Sequence, residues 1–449
     1  MEDARRVSWW MLLVVMGLGV LLAQWLLVFN PGYFSHDELQ WAVFAQAHRD
    51  CAFCNGLWAD VHAFQYRPLT FSVWMWLSQR LFVHPWGFHA VIVAAGITNA
   101  MLLAVLLRRT GLSVPGAVLG ALVFALGPYA VFTTGWVATI AELVWVGCAL
   151  GIGLLMQVPS PQPWRYAAVF ALTTLALLAK ETAVVIPALL ACAWWFSGRR
   201  RSWGIATLVA ALPLLIYLAI RLRTILDTPQ PTGSIYAWGL AAVPVRWLEF
   251  QLFPLVTNRF GSDGLLADGF HGAHLYRALG IWLALAWALW RAGRRYLAAF
   301  LLVGAVALGP VLILGVAATW YGYGFSAAIA VIAALAWPRT SRLGRLVFVL
   351  AAATCLWHGI YIMRIMHGIG EKQSRFSPAL AAAIERSGGR TVRLQVKDEH
   401  ERWIYERLTL DIPSYLGVPI GDRVELVASG APADYVVDEN GHLQALPPE

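Results

Sequence analysis

The chain has 449 residues, of which 59% are hydrophobic and only 13% charged, with a formal net charge of +8. Soluble domains carry about 25% charged residues, so this composition excludes a soluble globular protein and defines an integral membrane protein; the mean hydropathy of +0.63 agrees. The positive charges lie in short clusters between hydrophobic runs and not on one basic face, which excludes a nucleic-acid partner and makes them topology markers.

Arg5-Arg6 precedes a first apolar run, Trp9 to Phe29. The run is too long for the core of a signal peptide and no Ala-x-Ala site follows it, so it reads as a retained first helix. It ends in Asn30-Pro31-Gly32, and the next charged residues are His36-Asp37-Glu38. Two adjacent carboxylates at a membrane surface can take a proton from a hydroxyl, hold a cation, or be solvated. The stretch 30–85 is too long for a turn and contains two segments expected to lie on the membrane surface, Leu39 to Ala47 and Leu69 to Phe82.

Apolar runs then alternate with positive clusters. Trp86 to Leu107 ends at Arg108-Arg109, and runs of about 113–132 and 137–156 precede a turn from Pro159 to Arg165. The run from Tyr166 to Phe196 is followed by Arg199-Arg200-Arg201. A second long stretch, 223–275, holds Pro229, Pro231, Gly233 and an apolar segment from Ala237 to Val256. Arg291, Arg294 and Arg295 follow, then Arg339, Arg342 and Arg345. Each cluster falls where an even number of crossings returns the chain to its starting side, so the positive-inside rule places all of them in the cytoplasm. This predicts eleven helices in the cytoplasmic (inner) membrane, N terminus inside and C terminus outside. No internal repeat or discontinuous helix is evident.

From about residue 370 the composition turns charged and alternating. Thr391 to Val396, Arg423 to Ser429 and Asp434 to Asp438 read as strands, and Pro378 to Arg386 and His400 to Leu408 as helices. The expected fold is therefore an all-α polytopic membrane protein of about eleven transmembrane helices with external juxtamembrane helices (1–370), followed by a small external α/β domain (371–449).

Several polar residues need an energetic account. Lys180-Glu181 interrupts an apolar run, and a charge at the bilayer centre costs about 2.5–3.5 kcal/mol on insertion scales. Read as a hairpin, the run gives two legs of about 22 Å, short of a roughly 30 Å hydrocarbon core. The Lys-Glu turn then sits below the outer surface, either as a self-paired ion pair capping the turn or with Lys180 on a phosphate. Arg67 lies outside against the positive-inside trend, as a headgroup contact or as a guanidinium forked onto a phosphate. Glu142 is either an acid favoured by its helix N-terminus or part of a pocket. His84 and His89 flank Pro85 at the outer surface, as lipid-phosphate contacts or as satisfied interfacial histidines. Cys51 and Cys54 read as a local disulfide or two thiols in an oxidising compartment. A metal site with His36, His48 and His62 is a further reading.

Taken in order, Asp37 and Glu38 after the first helix, Tyr66-Arg67-Pro68-Leu69-Thr70, Leu81-Phe82, Gly87-Phe88-His89, and Leu178-Ala179-Lys180-Glu181-Thr182 with Pro187 resemble the GT-C glycosyltransferases. The resemblance is to the bacterial relatives of protein O-mannosyltransferases and of the transmembrane-and-TPR O-mannosyltransferases. It covers roughly residues 9–200 by motif and the later helices by topology. It implies a polyprenyl-phosphate-linked sugar as donor, a catalytic acid in the first external loop and a cavity at the outer membrane face. The chain departs from the pattern at Thr319-Trp320-Tyr321-Gly322-Tyr323, where related proteins often carry an Arg-Tyr pair, and no TPR repeats follow. The tail instead resembles the small C-terminal domain of aminoarabinose-type transferases.

Sugar transfer from a lipid phosphate needs a base for the acceptor hydroxyl and cations for the departing phosphate, both at the membrane face. On this reading Asp37 is the base and Glu38 positions the acceptor or serves as a second base. Arg67, Lys180 and His89 hold the phosphate, with Glu181 orienting Lys180 and Glu142, Tyr66 and Tyr321 in support. Displacement would invert the anomeric centre. Asp37, Glu38 and Glu142 could supply oxygens to a divalent ion, although the cations already present could replace it. Expected partners are the lipid-linked sugar, membrane lipids and an acceptor glycan, lipid or protein. The rival reading is a transporter or lipid-linked-sugar flippase with Glu142 and Lys180-Glu181 as an intramembrane polar site.

Overall fold

The computed structural model describes residues 2–50, 60–228 and 236–447, with side chains from Trp9 onward. The chain is mostly helical, with a small C-terminal sheet. In order, α1 is Glu2–Ala23, α2 Trp25–Val28, α3 His36–Ala47, α4 Pro68–Leu81, α5 Pro85–Arg109 and α6 Val114–Leu126. Next come α7 Pro128–Gly135, α8 Ile140–Met156, α9 Pro163–Ala179, α10 Ile186–Phe196, α11 Arg201–Asp227 and α12 Val243–Leu252. The last are α13 Ala273–Ala292, α14 Arg294–Leu308, α15 Gly322–Ala336, α16 Arg342–Arg386 and α17 Arg402–Thr409.

Among the described residues six helices are long and apolar enough to cross a membrane, or seven if a bent pair counts as one span. The expected eleven is therefore not reached by length and composition, because several apolar runs are broken. Trp9 to Phe29 breaks at Gln24, whose Nε2 donates to the Ala125 carbonyl at 2.9 Å inside the bundle. The run at 113–132 is two helices, α6 and α7, bent by 54° at Gly127-Pro128. Pro128 has no N–H to continue α6 and pushes the residue before it into extended backbone, and Gly127 is indeed extended (φ −73°, ψ 162°). A discontinuous helix thus exists where the pattern of apolar residues suggested a continuous one. The third break, at Lys180, was anticipated.

The two surface segments are present as α3 and α4, packed against one another through Trp41, Phe71 and Trp74. The segment leading into α3 is gripped by α16. Asn30 donates to the Met366 carbonyl (3.1 Å), and the Tyr33 N–H donates to Gln373 Oε1 (2.9 Å). This approach requires glycine on both sides: a Cβ on Gly32 would stand 2.2 Å from the Gly370 carbonyl oxygen, and one on Gly370 1.7 Å from Asn30 Oδ1.

No helix starts afresh at Pro378, as was expected of the tail. It is the last stretch of α16, which runs 45 residues without interruption, about 68 Å at 1.5 Å per residue, and so carries the apolar bundle directly into the tail. The sheet there has the order β4-β1-β5-β6, with β1 (Val392–Val396) parallel to both β4 (Val424–Val427) and β5 (Tyr435–Val437), and β6 (Leu443–Ala445) antiparallel to β5. The expected strands appear as β1, β4 and β5. A short hairpin, β2 (Ser414–Tyr415) with β3 (Val418–Pro419), was not anticipated. The buried alternation Val392, Leu394, Val396 faces a core shared with Phe376, Leu380 and Ile384 of α16 and Tyr405 of α17.

The tail rests on α3. Gln40 Nε2 donates to the Asp411 carbonyl (2.9 Å), and α17 and β2 pack against α3. Lys372 of α16 pairs with Glu401, and Arg375 donates to the Asn440 carbonyl (3.1 Å). Both domains therefore meet at the helix that begins with His36-Asp37-Glu38.

Candidate functional site

The two acids of α3 have opposite environments. Ser35, in extended backbone, caps the helix and forms a capping box with Glu38, whose Oε2 accepts the Ser35 N–H at 3.0 Å. This explains why the chain turns helical here: the cap satisfies N-terminal donors that have no intrahelical partner. Glu38 is completely buried, and burial first, then the neighbouring Asp37, push its carboxyl up to about 8. Its surroundings therefore favour the protonated form. Asp37 points the other way: its side chain is 26% exposed and lies 3.4 Å from His36 Nε2. Glu38 is thus sealed in the cap, and Asp37 is the more accessible of the two acids.

A stability prediction follows from Glu38. Its folded pKa, pushed up to about 8, lies above the ordinary glutamate value of 4.5, so the folded state favours the protonated form and stability falls as pH rises from 4.5 to about 8, then levels off. Glu38→Gln copies the neutral form and keeps an amide that can cap. In detergent, its Tm advantage over the wild-type protein should widen between pH 5 and 8 and stay flat above; an advantage constant across that window would contradict the assignment.

The cationic side of the site is built at the Lys180 break. α9 ends at Ala179, Lys180 is extended (φ −158°, ψ 137°), and a 3₁₀ turn, Glu181–Val185, precedes α10. Thr70 Oγ1 donates to the Ala179 carbonyl at 2.9 Å, which satisfies a helix-terminal acceptor and ties α4 to the break. Arg67 stands at the N-cap of α4 with Pro68 in the first turn, and its Nε donates to both Glu181 oxygens (2.9 and 2.8 Å). Burial works against the Arg67 charge; Glu181 chiefly, with Tyr236 and Tyr321, overcomes it and holds the guanidinium protonated. Lys180 Nζ lies 3.4 Å from Glu142 Oε1 and 5.0 Å from the centroid of the Tyr321 ring. Glu142 Oε2 accepts Trp145 Nε1–H at 2.5 Å.

The expected partnership is thus exchanged: Glu181 orients Arg67, and Lys180 is held by Glu142. Two cations and two carboxylates form a balanced cluster in which Lys180 and Glu142 are buried and Glu181 keeps 26% side-chain exposure; pairing is how ionised groups survive away from water. Tyr321 supplies a ring face in the segment that lacks an arginine.

Tyr236 joins this cluster to Asp37. Its hydroxyl accepts from Gln65 Nε2 at 2.7 Å. Burial pushes it up, Arg67 opposes that, and Glu181 and Asp37 add to it. Tyr66 lies under the buried guanidinium of Arg221 (5.3 Å), which donates to the Val61 and Phe64 carbonyls. Arg221 therefore clamps the loop that delivers Arg67. It was missed, although a charge inside the apolar run of α11 carries the same energetic signal that singled out Lys180. Tyr236 gave no such signal.

His89 does not join them. It is fully buried, its Nε2 is paired with the Gly32 carbonyl at 2.9 Å, and its ring stacks on Tyr33 at 6.0 Å. These contacts fix the turn before α3, so the phosphate role expected of it is withdrawn. His84 is an exposed cap of α5. Among the described residues no group of three or more His, Cys, Asp or Glu side chains is placed to share a metal ion; Cys51 and Cys54 lie outside the described residues. A cavity of about 490 Å³ lies elsewhere, between α6, α13, α15 and α16, lined by Leu119, Leu285, Phe325 and Ala352 among other apolar side chains. No member of the charged cluster lines it.

Comparison with protein-family models, curated proteins and solved structures finds no match to this chain.

Proposed function

We propose that this chain is a membrane glycosyltransferase that moves a sugar from a polyprenyl-phosphate donor to an acceptor at the outer face of the cytoplasmic membrane, with Asp37 as general base. The observation that carries this reading is a partly exposed acid, Asp37, at the start of α3 together with a cluster that holds two cations, Arg67 and Lys180, on Glu181 and Glu142. A base must reach the acceptor while cations sit where the phosphate leaves, and a lipid donor confines both to the membrane face. Asp37 takes the acceptor proton as its oxygen attacks the anomeric carbon. The bond from that carbon to the phosphate oxygen breaks, and the departing phosphate is stabilised by Arg67 and Lys180. With no protein nucleophile the anomeric centre inverts.

Eleven crossings fit this reading. They are α1 with α2, α5, α6 with α7, α8, α9, α10, α11, α13, α14, α15 and α16. Counted from an N terminus inside, they bring Asp37, Arg67, the start of α8, the Lys180 break, Tyr236 and Tyr321 to one outer face and the arginine clusters to the other.

The bend at Gly127-Pro128 favours a second reading, since discontinuous helices are common in transporters. Purified protein incubated with radiolabelled polyprenyl-phosphate sugars separates the two. Release of sugar from the phosphate, with or without acceptor, is expected of the transferase. Movement of intact lipid-linked sugar across a liposome membrane, without cleavage, would establish the flippase.

A further inference from the structure

One charged side chain at the site comes from the tail. Arg407, in the last turn of α17, reaches α3 from 372 residues away and donates from Nη2 to Ser35 Oγ at 2.7 Å. Its guanidinium lies over Phe34 (4.8 Å) and Trp136 (5.5 Å). Phe34 is itself locked edge-on against Phe132, Trp136 and Phe260, at 5.8, 5.2 and 5.6 Å. Arginine suits such a place, since its flat, weakly hydrated cation stacks on aromatic rings.

We propose that Arg407 is a positioning residue of the site: the tail lays its guanidinium on Phe34 and Trp136 and fastens it to the cap of α3, fixing Asp37 and setting the charge around it. This rests on the transferase reading given above.

The surrounding charges support this. Asp37 and Glu38 from α3, and Asp263 from the loop after α12, all act on the Arg407 charge, yet among the described residues none comes within ion-pair distance of it. Burial comes first and leaves its pKa below the usual arginine value; the three acids oppose that without reversing it. His36 shares the field: burial lowers its pKa, Asp37 opposes that, Arg407 lowers it further, and Asp411 raises it. Arg407 is thus a cation that no single carboxylate neutralises, held by rings and a hydroxyl beside the proposed base. A surface salt bridge between domains would look different, with a direct carboxylate partner and no aromatic seat. The pair Lys372–Glu401 already does that work at the other edge of the tail.

The test compares Arg407→Lys, which keeps the charge, with Arg407→Gln and Arg407→Met, which remove it, in the full chain. Transfer rate is measured against pH, with Tm in detergent as the folding check. Removing a cation from beside a carboxylate favours its protonated form, so either charge-free variant that folds should move the acidic limb of the pH–rate profile up by about one pH unit and lower kcat about tenfold or more. Lys should leave the limb in place. A limb that stays put in a folded charge-free variant, whatever its rate, would reduce Arg407 to a packing residue and overturn the proposal; so would failure of both charge-free variants to fold, since Arg407 would then be structural. Asp37→Asn is run beside them. If it retains full activity, the transferase mechanism and this inference fall together; if it is inactive while the Arg407 profile is unchanged, only this inference falls.

Discussion

Asp37→Asn should reduce sugar transfer in membranes by about 100-fold or more, the usual contribution of a general base, while leaving the fold within about 1 kcal/mol of the wild-type protein. Asparagine keeps the size and the helix-start preference of aspartate but cannot accept the acceptor's proton. The side chain is partly exposed, lies beside His36 and carries none of the capping burden. Glu38→Gln is the natural comparison, because it changes a sealed group whose surroundings favour the neutral form and should cost less than about threefold. A reversed order, with Asp37→Asn active and Glu38→Gln dead, would mean that the buried capping carboxyl performs the chemistry.

The asymmetry between these neighbours marks the limit of what residue order conveys. Adjacent acids after a first apolar helix were legible as a candidate base. Which acid would act depended on the cap formed by Ser35, because residue N3 of a capping box turns back onto the backbone and residue N2 does not. Ser35-His36-Asp37-Glu38 does contain the S-x-x-E signature, so the capping role of Glu38 could have been read from the sequence.

Other parts were not legible in that way. The break at Lys180 announced itself through its cost, and Arg221 would have done so by the same reasoning. The pairing of Glu181 with Arg67 and of Glu142 with Lys180 was invisible, because it depends on how α4, α8 and the 3₁₀ turn after α9 are brought together by Thr70 and the Ala179 carbonyl. Arg407 was invisible for a related reason: an arginine on a short amphipathic helix reads as solvated surface until α16 is known to carry the tail back onto α3. Apolar periodicity likewise overran the break at Gly127-Pro128, where one glycine and one proline outweigh an otherwise unbroken hydrophobic run.

The Lys180–Glu142 pair allows stability and function to be separated. Lys180→Met should destabilise the protein by about 3–5 kcal/mol, because it leaves the completely buried Glu142 carboxylate without its cation. Transfer should fall with it. Such a loss alone proves nothing about phosphate binding, since an unfolded enzyme is also inactive. The informative variant is Lys180→Met combined with Glu142→Gln. The glutamine carbonyl can still accept from Trp145 Nε1, and the methionine fills the lysine stem's volume, so the buried charge disappears as a pair and most of the lost Tm should return. If Lys180 holds the departing phosphate, activity should not return with stability, and the double variant should remain at least about 100-fold below wild type. Recovery of both would make the pair purely structural and leave Arg67 as the cation on which the phosphate site must rest. Lys180→Arg is the weaker control, because the larger guanidinium must fit against the Tyr321 ring and a poor fit would lower activity whatever the role of the charge.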